Sequence, residues 1–285
     1  MGVFNTPLSN WDGVWGKEEF RNGSGSVKDR PALFMLQRAV KEGITEVVEA
    51  TSGNTGIALA FYGRRLGVKV TIFMPASYSE ERQRLLRGLG ANLILTEGGM
   101  GEAVEEARKY SRELNRDGKR AVYLDQFSNP ANWEAHYFTT GPEILTQFPT
   151  IKRVVVAVGS GGSIVGIGKA LKRRGVEVVA VEPKESPALY NRLYNTTLPV
   201  SSHRVEGIGA GFVPPLLQPH LHLIDRVVLV DSEEVVEFWK RAVKKGFTGG
   251  ISAAASILAV KQQGWEGDNT LTLFPDHLNR YYSRL

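Results

Sequence analysis

Apolar positions along this chain switch between a period of two and a period of about 3.6. Val68-Lys69-Val70-Thr71-Ile72-Phe73-Met74, closed by Pro75, reads as a buried strand. Ser77-Tyr78-Ser79-Glu80 then has capping-box spacing, ahead of Leu85, Leu86 and Leu89 at helical intervals. Asn92-Leu93-Ile94-Leu95 predicts the next strand, and the mixed-charge run from Gly101 to Asn115 the next helix. With the short apolar Val47-Val48 and the apolar helix Ile57 to Tyr62, one βαβα series covers roughly 46–123. A second series opens with Arg153-Val154-Val155-Val156-Ala157-Val158, continues in a helix through Lys172 and returns in Val176 to Val181. Strands at Val227 to Val230 and Leu271 to Phe274 follow, with helices from Ser232 to Lys245 and from Ser252 to Gln263. Such alternation predicts an α/β protein with two α/β domains and mainly parallel sheets. The expected division is 1–141 and 142–285, near Thr140-Gly141-Pro142, with the first strands able to cross over to the second domain. Residues 183–215, rich in Pro, Asn, Ser and Gly, read as a long irregular connection beside a site.

Composition narrows the chemistry. The 285 residues are 42% hydrophobic, enough for a sizeable core, and no apolar run approaches the ~20 residues of a membrane span. The start resembles no signal peptide, so a cytoplasmic protein without a membrane partner is expected. Absence of cysteine excludes disulfides, thiolate metal sites and thiol nucleophiles, leaving amines, hydroxyls or a cofactor. Of the five histidines only His220-Leu221-His222 has a metal-like gap, suited to one face of a strand but lacking further ligands; no metal is expected, and the histidines read as structural or surface residues. The net charge of +5 invites a nucleic-acid partner. Its basic residues are interleaved with acids, as in Glu80-Glu81-Arg82-Gln83-Arg84, which reads as solvated helix faces and argues against one.

Three loops carry candidate chemistry. Ser24-Gly25-Ser26-Val27-Lys28-Asp29-Arg30 puts a lysine after small residues; a desolvated lysine serves as Schiff-base amine and proton carrier, whereas a lone lysine at a helix start is ordinarily a surface residue. Thr51-Ser52-Gly53-Asn54-Thr55-Gly56 lies between a strand and a helix, where hydroxyls and amides either bind a carboxylate or simply cap the helix. Gly159-Ser160-Gly161-Gly162-Ser163 closes a strand and opens a helix, so its amides and two hydroxyls can hold a phosphate. A dinucleotide fingerprint is the rival, with Glu182 near the acidic position, but Ile164 stands at the third glycine. No Gly-Lys-Ser or Gly-Lys-Thr ending marks a nucleoside-triphosphate loop.

These motifs, with Gln126-Phe127-Ser128-Asn129-Pro130-Ala131-Asn132, Glu206 to Pro214 and Gly250-Ile251-Ser252, resemble the fold type II pyridoxal-phosphate enzymes of tryptophan synthase β-like architecture. The wording is most similar to the cysteine synthases (O-acetylserine sulfhydrylases), with a lean towards the B-type from Ala50 and Leu124 to Phe127. The resemblance implies pyridoxal 5'-phosphate on Lys28, Asn54 against its phenolic oxygen, Gly159 to Ser163 on its phosphate and Ser252 at its ring nitrogen. Thr51, Ser52, Gly53, Thr55 and Gln126 then hold the substrate carboxylate. It further implies a homodimeric β-replacement enzyme that joins an O-activated serine to sulfide through α-aminoacrylate. Cystathionine β-synthase, serine or threonine dehydratase and a cofactor-free basic binding module stand as alternatives. Departures from the family wording at Ala253-Ala254 and after Asp276 bear on substrate scope; Arg204 with His203 could supply a cation for O-phosphoserine, but Glu206 in the same segment would repel a phosphate, so O-acetylserine is the expected donor and Arg204 reads as a surface or salt-bridged residue.

Overall fold

A computed structural model of the chain describes residues 4–285 apart from Ser52, Tyr78 and Ser79. In chain order the strands are β1 (Leu8–Trp11), β2 (Val14–Glu18), β3 (Glu46–Ala50), β4 (Lys69–Pro75), β5 (Asn92–Thr96), β6 (Ala121–Tyr123), β7 (Arg153–Ala157), β8 (Glu177–Pro183), β9 (Arg226–Val230) and β10 (Thr270–Phe274). The helices are α1 (Asp29–Lys41), α2 (Asn54–Leu66), α3 (Glu80–Gly88), α4 (Met100–Arg116), α5 (Ala131–Ala135), α6 (Gly141–Gln147), α7 (Gly162–Leu171), α8 (Ala188–Tyr194), α9 (Ser232–Lys244) and α10 (Ile251–Gln262). They form two compact units: Lys28–Asn132, and Trp133–Leu285 together with the residues up to Val27.

The Lys28–Asn132 unit holds a four-stranded parallel sheet in the order β5-β4-β3-β6. Its β3 is buried along its length, as expected for a strand covered on both faces. α4 buries Ala103, Ala107, Ser111 and Leu114, packs Val104 and Tyr110 against the same core, and leaves its charges to solvent, with Lys109 and Glu113 paired at i,i+4. The expected cap of α3 falls partly on Tyr78 and Ser79, outside the described residues.

The other unit is built on a six-stranded sheet ordered β1-β2-β10-β7-β8-β9, parallel except for the β1–β2 hairpin. That hairpin turns on Asp12-Gly13, both at positive φ (52° and 85°), and β2 pairs with β10. Alternate valines of β7 and β8 point to opposite faces: Val154, Val156 and Val178 pack with Ile164 and Ile167 of α7, whereas Val155, Val179 and Val181 pack with Ile257 and Val260 of α10. α10 is buried on every side from Ile251 to Val260, which explains the two alanines after Ser252: larger side chains have no room there. Within the expected irregular connection, residues 188–194 form α8, whose start Glu182 caps by accepting the Leu189 and Tyr190 amides (3.0 and 2.9 Å). His220 and His222 lie in a 3-10 turn, Gln218–Leu223, where the sequence spacing suggested a strand face. No helix among the described residues is long and apolar enough to cross a membrane.

Candidate active site

Lys28 stands at the N-cap of α1 and is half-buried, and Asp29 and Arg30 behind it are fully buried. Asp29 accepts the Tyr62 hydroxyl at 3.0 Å, fixing α1 against α2. The loop before Lys28 is pinned by backbone: Val27 N–H donates to Pro275 C=O (2.7 Å), Arg280 donates to Ser24 C=O (2.6 Å), and Ser26 bridges to Asp276. Asp276 C=O in turn accepts the amide of Gly250, the N-cap of α10. A Cβ on Gly250 would meet the Asp276 carboxylate at 2.0 Å, so the tail after β10, the pre-lysine loop and the start of α10 are locked together. Ser252 is the second residue of α10, and Gly250 is the N-cap. The Ser252 side chain is buried.

In the Lys28–Asn132 unit Thr51, Gly53, Thr55 and Gln126 converge at the N-terminus of α2. Thr51 Oγ1 accepts the Gly53 amide (3.2 Å), Gly53 is the N-cap, and Asn54 opens the helix. Thr55 donates its hydroxyl to Gln126 Oε1 at 2.7 Å, both side chains buried, which leaves the Gln126 NH2 as a donor. Ser52 lies outside the described residues.

Glu49, at the end of β3, is the organiser that sequence reasoning missed. One carboxyl oxygen accepts the Ala50 amide (3.1 Å) and the other the Gln126 amide (3.2 Å), so a single buried side chain holds the bases of the 51–56 and 126–132 loops. The Tyr123 hydroxyl also bonds to it. Three donors favour the carboxylate form, but burial outweighs them and pushes Glu49 up to about 8; Asp125 nearby acts in the same sense. Burial, with the Glu49 and Asp125 charges, raises the Tyr123 hydroxyl too. A glutamate two residues before the Thr-Ser-Gly-Asn loop was the available signal.

The 159–163 loop joins β7 to α7 in the larger unit. Gly161 is the N-cap at φ +86°, and the first helical bond, Val165 N–H to Gly161 C=O, leaves the amides of Gly162, Ser163 and Ile164 directed out of the helix end. Ser160 is buried in the loop, and Ser163 follows in the first turn. A Cβ on Gly159 would lie 2.4 Å from Gly207 C=O, so the 206–212 segment lies directly against it; Gly209 N–H also donates to Val158 C=O (2.9 Å). A cradle of amides and hydroxyls with no acidic residue from Val158 to Ile164 fits a phosphate dianion. His136, read from sequence as structural or surface, is buried with Nε2 3.1 Å from Ser163 Oγ. Arg204 is paired with Glu233 (2.8 Å) and Glu206 with Arg284 (2.8 Å), all on the surface side of that segment.

Comparison with known proteins agrees with this geometry. A family model described as pyridoxal-phosphate dependent enzyme matches residues 1–276. A cysteine synthase of Staphylococcus aureus is 40% identical over 284 residues, 95% of this chain and 87% of the relative. Among solved structures, the O-acetyl serine sulfhydrylase isoform 3 of Entamoeba histolytica superposes with a TM-score of 0.87 at 33% identity, covering 99% of this chain and 88% of that one. The O-acetylserine dependent cystathionine beta-synthase of Helicobacter pylori gives 0.84 at 32% identity, over 99% of this chain and 95% of that one. By its lysine loop, its cradle of amides and hydroxyls and these matches over nearly its whole length, the chain belongs to the pyridoxal-phosphate dependent enzymes.

Proposed function

We propose that this enzyme makes L-cysteine from O-acetyl-L-serine and sulfide, releasing acetate. The observation that carries the reading is the buried Thr55–Gln126 pair at the N-terminus of α2: it presents an amide donor beside the helix-end N–H groups, an arrangement suited to an amino-acid carboxylate. Lys28 would hold the cofactor aldehyde, Gly159 to Ser163 its phosphate, and Asn54 and Ser252 would serve its ring. Bound pyridoxal phosphate supplies an aldehyde that takes up the amino acid's nitrogen and a ring that withdraws electrons from its α-carbon. With substrate bound, the Lys28 amine would take the α-proton, and the net reaction replaces acetate at the β-carbon with sulfide. Thr51, Ser52, Gly53, Thr55 and Gln126 orient the carboxylate during both steps. Ser252 would offer the ring nitrogen a hydroxyl, a hydrogen-bond partner that, unlike a carboxylate, does not hold that nitrogen protonated. We also read the protein as a cytoplasmic homodimer, as the family resemblance implies.

The likeness to the Helicobacter pylori enzyme supports one second reading, with homocysteine as the sulfur nucleophile. Steady-state assays of the purified holoenzyme with O-acetylserine against sulfide and homocysteine separate the two. Cysteine formation is expected to dominate, and Lys28→Ala should stay folded by circular dichroism yet lose both turnover and the cofactor's visible absorbance. A wild type that forms only cystathionine moves the assignment to the second reading. A Lys28→Ala protein with normal turnover removes Lys28 from its role.

A further inference from the structure

Between α5 and α6 the helix widens into a π-turn, His136–Thr140. π-turns are rare and concentrate at functional sites. This one lays His136 against the first turn of α7, with Nε2 3.1 Å from Ser163 Oγ and Nδ1 2.9 Å from Thr140 Oγ1. His136 and Thr140 are both fully buried. Close approach is enforced by Gly166, where a Cβ would meet Trp133 C=O at 2.2 Å and His136 Cβ at 2.6 Å. The adjacent Thr139 spends its hydroxyl on the Ala135 carbonyl, as helical threonines commonly do. Thr140 instead bonds to the imidazole ring.

A three-membered chain of this kind has two polarities. In one, the Ser163 proton is given to the histidine, and Ser163 turns only lone pairs towards the cradle. In the other, Thr140 donates to Nδ1, Nε2–H donates to Ser163 Oγ, and the Ser163 proton is left to point outward. A phosphate dianion accepts only, so it selects the second. We propose that His136 is a positioning residue for the cofactor phosphate, fixed as the Nε2–H tautomer by Thr140 and aiming the Ser163 hydroxyl proton at the dianion. The proposal rests on the reading of 159–163 as the phosphate loop.

Titration of the resolved enzyme with pyridoxal phosphate, combined with phosphorus NMR of the reconstituted protein, tests it. His136→Leu should raise the cofactor dissociation constant about 5- to 10-fold, the loss of one hydrogen bond to a charged network. It should also shift or broaden the bound phosphate resonance. His136→Gln, which keeps a side-chain N–H, should recover most of both. In a Ser163→Ala background His136→Leu should add less than about 2-fold, since the two residues act as one unit. An unchanged constant in His136→Leu, or an equal loss with and without Ser163, overturns the proposal. Should His136→Leu fail to fold, Thr140→Val leaves the ring in place; about a 2- to 5-fold rise that vanishes in Ser163→Ala supports the relay, and no rise overturns it. Ser163→Ala alone reports on the phosphate-loop reading: if it binds the cofactor like wild type, that reading fails, whereas a weakened Ser163→Ala beside a normal His136→Leu sinks only the role of His136.

Discussion

At the scale of single residues, the sharpest physical conflict is at Glu49, where three hydrogen-bond donors and complete burial pull its proton in opposite directions and burial prevails. Its folded pKa of about 8 lies above the ordinary carboxyl value, so between those limits the folded state holds a proton that the unfolded chain has released. Stability from this group is therefore full at acid pH and falls as pH rises through that window, by roughly 1 kcal/mol per pH unit. Glu182, pushed up to about 7 by burial against its two amide donors, acts in the same sense. Glu49→Gln isolates the first effect. The amide turns a donor towards one of the two backbone N–H groups, so the mutant should be less stable than wild type by about 1–2 kcal/mol at pH 5. That deficit should shrink and then reverse by pH 8, because wild type loses roughly 1 kcal/mol per pH unit at Glu49 while the Glu182 contribution falls equally in both proteins. Urea unfolding of both holoenzymes at four pH values measures it, and a difference constant across pH would mean that Glu49 does not titrate there.

At the scale of elements, the contact between α7 and the π-turn is made possible by one glycine and is indifferent to another. Gly166 faces backbone at 2.2 Å (Trp133 C=O) and 2.7 Å (Tyr137 N), neither of which can yield, whereas the nearest atoms to a Cβ on Gly168 are side-chain carbons at 3.6 Å. Gly166→Ala should cost about 1–3 kcal/mol through overpacking and weaken cofactor retention, while Gly168→Ala should be neutral or gain up to about 1 kcal/mol from helix propensity. Melting temperatures of the pair decide; equal shifts would show that the π-turn gives way freely. The sequence already pointed to α7 through the glycine loop at the end of a valine run, and to the parallel strands through uninterrupted β-branched stretches. It gave no warning of the π-turn, because His136 and Ser163 are 27 residues apart and no local period joins them. The β1–β2 hairpin was visible in principle, since Asp12-Gly13 is a strong hairpin signal, but its pairing with β10 spans almost the whole chain. Glu49 escaped for the opposite reason: an acidic residue inside an apolar strand looks like a break in the pattern until the two amides it holds are seen.

For the molecule as a whole, the surplus of five positive charges raises the question of whether a phosphorylated serine is the true donor. O-phosphoserine carries a dianion that requires a cation held in place, while O-acetylserine is a zwitterion that needs only carboxylate and amine recognition. Arg204, the cation nearest in sequence to the 206–212 segment, is engaged with Glu233 at 2.8 Å, with both side chains at least half exposed. Exposed pairs of this kind contribute little and are easily screened. Other basic residues are likewise spent on the surface, as Arg84 is on Glu80 and Lys152 on Asp268 (3.1 Å). The positive charge therefore acts as a diffuse field, which accelerates encounter with any anion but fades as salt shortens the Debye length from about 30 Å at 0.01 M to about 8 Å at 0.15 M. The expected result is a kcat/KM for O-acetylserine well above that for O-phosphoserine, with the ratio widening as ionic strength rises and Arg204→Ala matching wild type within about 2-fold. A preference for O-phosphoserine that survives high salt and collapses in Arg204→Ala would instead make Arg204 a specificity residue and the phosphorylated amino acid the substrate.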